Sequence, residues 1–279
     1  MINILLCGNQ KVFDGALSEL ISITNKTKEA ITCYIFTMDV SRIKPEYTCI
    51  EDEQVEFLDQ VVKNKNPENK IIKADVTNIY EREFANCANE TAYCTPYTLL
   101  RLLADLVPGM PDKLLYLDID MMANDDISPL YHTDIEEYEY AAVKEKYGSK
   151  MIRPDYINAG MLLLNMKKIK ETKLLEKARE LIKRKKLLFA DQDAIFWNTT
   201  KKKLLPRKYN EQASFNKKDT VICHFCKRLL WLPYPHTENY KQWNIEEIHK
   251  YLKCYTFDKD LEEYKKLKEQ FNTKMKEEV

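Results

Sequence analysis

The sequence predicts an α/β fold: a mostly parallel central sheet with helices on both faces, followed by a helical C-terminal tail. Two observations carry this. Short apolar runs of strand length alternate with longer stretches of helical periodicity through the first half of the chain. One of those runs, Lys113-Leu-Leu-Tyr-Leu-Asp-Ile-Asp120, ends in two carboxylates, and ligands of such sheets bind beyond the carboxyl ends of the strands.

The elements follow in order. Ile2–Cys7 is apolar at all but Asn3 and reads as the first strand. Residues 14–24 read as a helix with Leu17, Leu20 and Ile21 on one face. Residues 31–37 form a second strand. Residues 51–63 form a helix carrying Val55, Leu58, Val61 and Val62 at helical spacing. A third strand is expected at 70–74, and a leucine-rich helix at 96–107 leads into the strand that ends in Asp118 and Asp120. In the second half, 140–144 and 157–164 are strand-like, 174–186 is helical and 220–224 is a short strand. The organisation predicted is one domain over 1–244 and a charged helical extension over 245–279, with Ile248, Tyr251 and Leu252 along one side.

Composition narrows the class. With 279 residues the chain can bury a large core, and only five glycines and ten prolines argue against a linker-rich protein. Lys plus Arg and Asp plus Glu are 44 each, which gives no electrostatic footprint for nucleic acid. No apolar run reaches the roughly 18 residues that span a bilayer. The N-terminus has no basic leader, so it reads as a strand rather than a signal peptide, and the expected location is cytoplasmic. The lysines of the tail read first as a solvated face, with peripheral attachment to the inner face of a membrane as the other reading. Eight cysteines, Cys94 among them, lack framework spacing and are expected to be reduced. Cys223-His-Phe-Cys226 has the spacing of half a zinc site without a second half.

The two aspartates are the sharpest local signal. Side chains alternate along a strand, so Asp118 and Asp120 are expected on one side of its end. Carboxylates so placed repel unless a positive group lies between them, and a hard divalent cation carrying a diphosphate suits them. An acidic loop after a strand is the plainer alternative. Further segments bear on the choice. Tyr156-Ile-Asn-Ala-Gly160 opens an apolar run, and its small residues permit close approach of a ligand to the backbone. Asp191-Gln-Asp193 precedes Ala194-Ile-Phe-Trp197, where Asp191 can cap a helix. Cys223-His224 ends a strand before Lys227, Arg228 and Trp231, and a His there could complete an oxygen-rich site, favouring manganese over magnesium. Arg101 lies in the helix before the metal strand.

Together these segments resemble glycosyltransferase family 8, the retaining, metal-dependent GT-A group that includes glycogenin and bacterial lipopolysaccharide galactosyl- and glucosyltransferases. The resemblance runs to about Asn244. It rests on Leu-Tyr-Leu-Asp-Ile-Asp at 115–120, Tyr-Ile-Asn-Ala-Gly at 156–160, Asp-Gln-Asp at 191–193, Leu-Pro-x-x-Tyr-Asn at 205–210 and His-Phe at 224–225. It implies a GT-A, Rossmann-like nucleotide-diphospho-sugar transferase fold, and Mn²⁺ (Mg²⁺ as the alternative) held by Asp118, Asp120 and His224. It further implies that Cys7, Gly8 and Asn9 touch the base and ribose, and that Arg101 and the Asp118-Ile119-Asp120 segment contact the sugar nucleotide. Asn158, Ala159 and Gly160 would line the donor sugar, with Asp191 and Gln192 beside the anomeric carbon. The partners implied are a UDP-sugar donor and a glycan or glycolipid acceptor.

Two departures stand out. The family's acidic first loop is here Asn9-Gln10-Lys11. The usual ending after the metal His, which carries the diphosphate-binding Lys before Pro-Trp, is replaced by Lys241-Gln-Trp243 further on, as if about a dozen residues were inserted. The diphosphate cation is therefore Lys227, Arg228 or Lys241, with Lys241 favoured because its Trp follows at the family's distance. For the reaction, cleavage puts charge on the leaving diphosphate, which a divalent ion stabilises as a Lewis acid, and the sugar gains oxocarbenium character. An amide such as that of Gln192 is a poor nucleophile. Asp191 is better suited but can instead fix hydroxyls, and same-face attack with Gln192 stabilising the cation is the favoured route.

Overall fold

The computed structural model describes residues 1–91 and 95–277; Cys94 lies outside them. Its strands are β1 (Ile2–Cys7), β2 (Ile31–Thr37), β3 (Lys70–Asp75), β4 (Lys113–Leu117), β5 (Met121–Ala123), β6 (Tyr140–Lys144), β7 (Ile157–Asn165), β8 (Lys202–Leu205), β9 (Ile222–His224), β10 (Arg228–Leu230) and β11 (His236–Glu238). Its helices are α1 (Phe13–Lys26), α2 (Asp52–Lys65), α3 (Thr77–Phe84), α4 (Ser128–Tyr131), α5 (Gly148–Met151), α6 (Met166–Thr172), α7 (Leu174–Arg184), α8 (Ala190–Asn198), α9 (Ile245–Glu247) and α10 (Asp258–Glu277).

Seven strands make the central sheet in the order β3-β2-β1-β4-β7-β6-β8. Every pairing is parallel except the two made by β7, which runs against β4 and β6. The α/β class and mostly parallel sheet expected from the sequence are therefore present. β1, β2 and β6 have the expected bounds, because each is a mainly apolar run flanked by polar or turn residues.

Helices cover both faces. On one, α1 and α2 bury Leu17, Leu20, Ile21, Leu58 and Val62 in a core that also takes Leu261 and Phe271 of α10. Phe271 lies 4.5 Å from the Phe13 ring, centroid to centroid, and Tyr264 Oη donates to Asp14 Oδ1 at 2.8 Å. On the other face, Tyr80, Phe84, Leu99, Leu103, Ala178, Ile182 and Ala194 form a second core against the opposite sides of the same strands. No helix among the described residues is long and apolar enough to cross a membrane.

Three local expectations are corrected. Residues 96–103 wind as a 3-10 helix rather than an α-helix to 107. Arg101 Nε donates to the Thr98 carbonyl there, using an acceptor that a regular helix would keep for its own ladder. The Asp-x-Asp strand ends at Leu117, so the two aspartates sit in the turn beyond it. Finally α8 begins at Ala190, so Asp191 lies inside its first turn and does not cap it. No side chain caps this helix; Asp193 Oδ2, one turn in, reaches back to accept the Phe189 N–H at 3.0 Å. The short strands β5, β8, β10 and β11 carry no periodicity long enough to be read in sequence.

Candidate metal and donor-sugar site

β1 and β4 are parallel neighbours, so their carboxyl ends lie side by side, and β7 enters at the same end because it runs the other way. Beyond Leu117 the Asp118 N–H donates to the Gly160 carbonyl at 2.7 Å, which joins the aspartate turn to the start of β7. The chain then reverses into β5, which pairs with β9, setting Met121 opposite His224. The Phe225 N–H donates to the Asp120 carbonyl at 2.8 Å. This pairing brings a residue more than a hundred positions away onto the two aspartates.

His224 Nε2 lies 3.1 Å from Asp120 Oδ1 and 3.6 Å from Asp118 Oδ2. Ligand atoms of the three side chains all fall within 4.8 Å of one another, the one such grouping of His, Cys, Asp and Glu among the described residues. Cys223 and Cys226 belong to no such group. The imidazole's other nitrogen, Nδ1, is 3.1 Å from Asn210 Oδ1, and Asn210 Nδ2 donates onward to Asn158 Oδ1 at 2.9 Å. An Nδ1–H donated to Asn210 leaves the Nε2 lone pair facing the carboxylates, as a metal ligand requires. A Cβ at Gly160 would come within 2.4 Å of His224 Cε1 and 2.8 Å of Asp118 Oδ2, so only glycine lets β7 pass this close. One imidazole nitrogen and carboxylate oxygens suit a divalent cation.

Two cations flank the acids. Arg101 is buried, stacks 4.0 Å over the Tyr116 ring and donates to Ala159 O at 2.6 Å. It also pairs with Asp118 Oδ1 at 2.8 Å and Asp191 Oδ2 at 3.2 Å. Tyr116 Oη donates to the same Asp118 oxygen at 2.5 Å. On the other side, Lys241 Nζ pairs with Asp120 Oδ2 and donates to Phe225 O at 3.2 Å. Three carboxylates thus face two fixed cations, which leaves one negative charge for a bound cation to neutralise.

Burial pushes the Asp191 carboxyl up to about 6, with Asp118 adding to the rise and Arg101 opposing it. Burial also raises Asp120, but His224 and Lys241 outweigh it and hold this carboxyl below the usual range. Beneath the site Glu19 of α1 is fully buried, and neither carboxylate oxygen has a hydrogen-bond partner. Burial, with Asp120 and Asp118 nearby, raises its pKa well above the ordinary value.

The remaining expected residues divide. Gln192 Oε1 accepts the Ala159 N–H at 3.0 Å, and Asn158 Oδ1 accepts the Gly160 N–H at 3.0 Å, so α8 and the Asn-Ala-Gly start of β7 form one wall. Ile119 carries its carbonyl to Gln242 Nε2 at 3.0 Å. Cys7 is buried in the core beneath Arg101, where burial raises its thiol pKa. Gly8 N–H donates to Phe36 O at 2.9 Å. Asn9 spends its side chain locally, accepting the Lys11 N–H at 3.1 Å and donating to Glu46 O at 3.2 Å. Lys227 is exposed, whereas Lys241 reaches the Asp120 carboxylate. Sequence reading assigned no role to Tyr116, Asn210 or Gln242. Asn210 did carry a signal, as the last residue of the Leu-Pro-x-x-Tyr-Asn motif.

The description "Glycosyl transferase family 8" matches residues 3–247. The chain belongs to glycosyltransferase family 8. Among curated relatives of this family 8 chain, an Escherichia coli lipopolysaccharide 1,2-glucosyltransferase is 35% identical over 124 residues, 39% of this chain and 37% of that protein. A Salmonella typhimurium lipopolysaccharide 1,3-galactosyltransferase is 29% identical over 43% of this chain and 42% of its own length. The aligned segments thus span about two fifths of these relatives. A galactosyltransferase LgtC structure with donor and acceptor sugar analogues superposes with a TM-score of 0.64 at 16% identity, covering 95% of each chain. The glycosyltransferase GlyE of Streptococcus pneumoniae superposes at 0.65, covering 98% of this chain and 64% of that one. These superpositions establish the GT-A fold for this family 8 member.

Proposed function

We propose that the chain is a retaining hexosyltransferase that moves glucose or galactose from a UDP-sugar to a glycan or glycolipid acceptor in a Mn²⁺-dependent reaction. The observation that carries this reading is the convergence of Asp118, Asp120 and His224 at one point, with the Gln192 amide and the Asn158–Gly160 start of β7 beside it. Asp118, Asp120 and His224 would hold the metal, which when bound supplies Lewis-acid stabilisation of a leaving diphosphate.

The chain's own residues do the rest. Lys241, already within the cluster, adds a cation at the diphosphate end and is preferred to Lys227 and Arg228 for that role. Arg101 holds Asp118 and Asp191 in place. Asp191 is buried as a counter-ion to Arg101, an arrangement that suits fixing donor hydroxyls better than attacking a sugar carbon. Gln192, half-buried and tethered to Ala159, is the polar group better placed to stabilise a developing sugar cation. Both features favour same-face attack, in which the departing phosphate oxygen takes the acceptor's proton. Cys7, Gly8 and Asn9 are assigned to the nucleoside end.

Release of UDP from UDP-glucose and UDP-galactose with Mn²⁺, compared between the native protein and Asp120→Ala, tests the assignment. The variant is expected to lose at least a hundredfold in rate. Equal rates would end the metal reading.

A further inference from the structure

We propose that the mouth of this site is a basic, apolar collar that docks on an anionic lipid bilayer, so that the acceptor hydroxyl is presented from a membrane surface. The proposal deepens the transferase reading above and rests on it for the identity of the site.

The inference begins with where exposed apolar side chains lie. Twelve large hydrophobic residues are exposed among the described ones, and seven of them fall in three short segments. Met151 and Ile152 lie at and after α5, Leu188 and Phe189 just before α8, and Trp231, Leu232 and Tyr234 at the tip of the β10–β11 hairpin. Leu232 is 82% exposed and Met151 and Leu188 are each 72% exposed, values at which a side chain contributes nothing to the core.

Topology gathers the three segments around one opening. β6 runs antiparallel to β7, as β4 does, so the carboxyl ends of β6 and β4 point the same way and the 145–156 segment leaves at the site's end of the sheet. Tyr147 Oη donates to the Leu229 carbonyl at 2.9 Å, which ties this segment to the hairpin. Tyr156 Oη donates to Asp193 Oδ1 at 2.5 Å, which ties it to the first turn of α8. The hairpin itself lies between His224 and Lys241 in the chain, inside the segment where the sequence departs from its family's spacing.

Charge selects the occupant. The chain as a whole is neutral, yet residues 144–156, 184–189 and 227–238 together carry nine Lys or Arg against two Glu and one Asp, Asp155, which pairs with Arg153. Glu145 is moreover turned inward, accepting the Tyr147 N–H at 2.7 Å. A soluble glycan, even one made anionic by carboxylate or phosphate groups, offers no apolar surface for Met, Ile and Leu. An anionic bilayer offers both: phosphate headgroups for the basic residues, an acyl boundary for the aliphatic ones, and an interface that suits Trp and Tyr.

The test is co-sedimentation of the full chain with vesicles of phosphatidylcholine alone and of phosphatidylcholine with phosphatidylglycerol at three to one. Binding is expected only to the anionic vesicles and should weaken as salt rises. Trp231→Ser with Leu232→Ser, and separately Lys185→Glu with Lys186→Glu, should each reduce binding about tenfold or more while UDP-hexose hydrolysis in solution is unchanged. Lys265→Glu with Lys266→Glu on α10 should bind as the native chain does. No binding to anionic vesicles would overturn the proposal, as would binding lost only in the α10 variant, or protection of Trp231 fluorescence by soluble oligosaccharides and not by vesicles. Vesicle binding is measured without UDP-sugar or metal. A failure here therefore leaves the transferase reading standing, and a failure of donor turnover leaves the collar to be judged on its own.

Discussion

His224 Nδ1 lies 3.1 Å from Asn210 Oδ1, so the imidazole that faces Asp118 and Asp120 is oriented by an amide fourteen residues earlier. Such partners typically change metal affinity by about ten- to a hundredfold when removed. Asn210→Ala should therefore weaken Mn²⁺ binding by about that factor, read by calorimetric titration, with His224 itself intact. Unchanged affinity would remove Asn210 from the site.

Gly160→Ala tests the same point sterically. Its Cβ would meet His224 Cε1 and Asp118 Oδ2 well inside van der Waals contact, so both side chains must move. Mn²⁺ affinity should fall about tenfold or more, while the urea midpoint falls by only the equivalent of about 1–3 kcal/mol, as for an overpacked core. A variant that binds metal normally would show that β7 can withdraw.

Arg101 is the buried counter-ion of two carboxylates, and its removal leaves Asp118 and Asp191 facing each other. Arg101→Met is expected to cost about 3–5 kcal/mol in chemical unfolding, the range for a buried pair that loses one partner. Arg101→Lys should recover only part of this. An ammonium cannot stack on Tyr116 and serve Ala159, Asp118 and Asp191 from one planar group.

Glu19 supplies a pH prediction. Burial raises its pKa, so between the ordinary carboxylate range and that raised value the native state holds a proton that the unfolded chain releases. Stability from this group is then fully present in acid and is lost as pH rises. Native protein should lose stability between pH 5 and pH 8 relative to Glu19→Gln, which keeps the shape and cannot ionise. Parallel urea midpoints in the two proteins across that range would refute it.

The sheet strands that were legible share one trait: β1, β2 and β6 are mainly apolar and buried along almost their whole length on both faces of the sheet, so burial alone writes them into the sequence. The 3-10 winding at 96–103 was not legible, because leucine spacing marks a buried face without marking the pitch. β5 and β9 are three residues each, below the length at which any period can be seen. In the candidate site, residue types and motif order singled out Asp118, Asp120, Asn158, Gln192 and His224. Nothing in a local pattern could show that Asp191 faces Arg101 instead of capping its helix, since that depends on where two distant elements meet.

What the sequence determined by itself was chemistry and class. Alternating burial periods specify an α/β sheet, and the carboxylates, imidazole and amides name the candidate ligands and their order, because both are properties of side chains and spacing. Only the tertiary structure decided proximity. The β5–β9 pairing carries His224 to Asp120, the close approach at Gly160 admits it, and Arg101 and Lys241 arrive from opposite sides to balance the acids. Those are long-range contacts, and their free energy comes from burial and pairing summed over the whole core, which no single segment encodes.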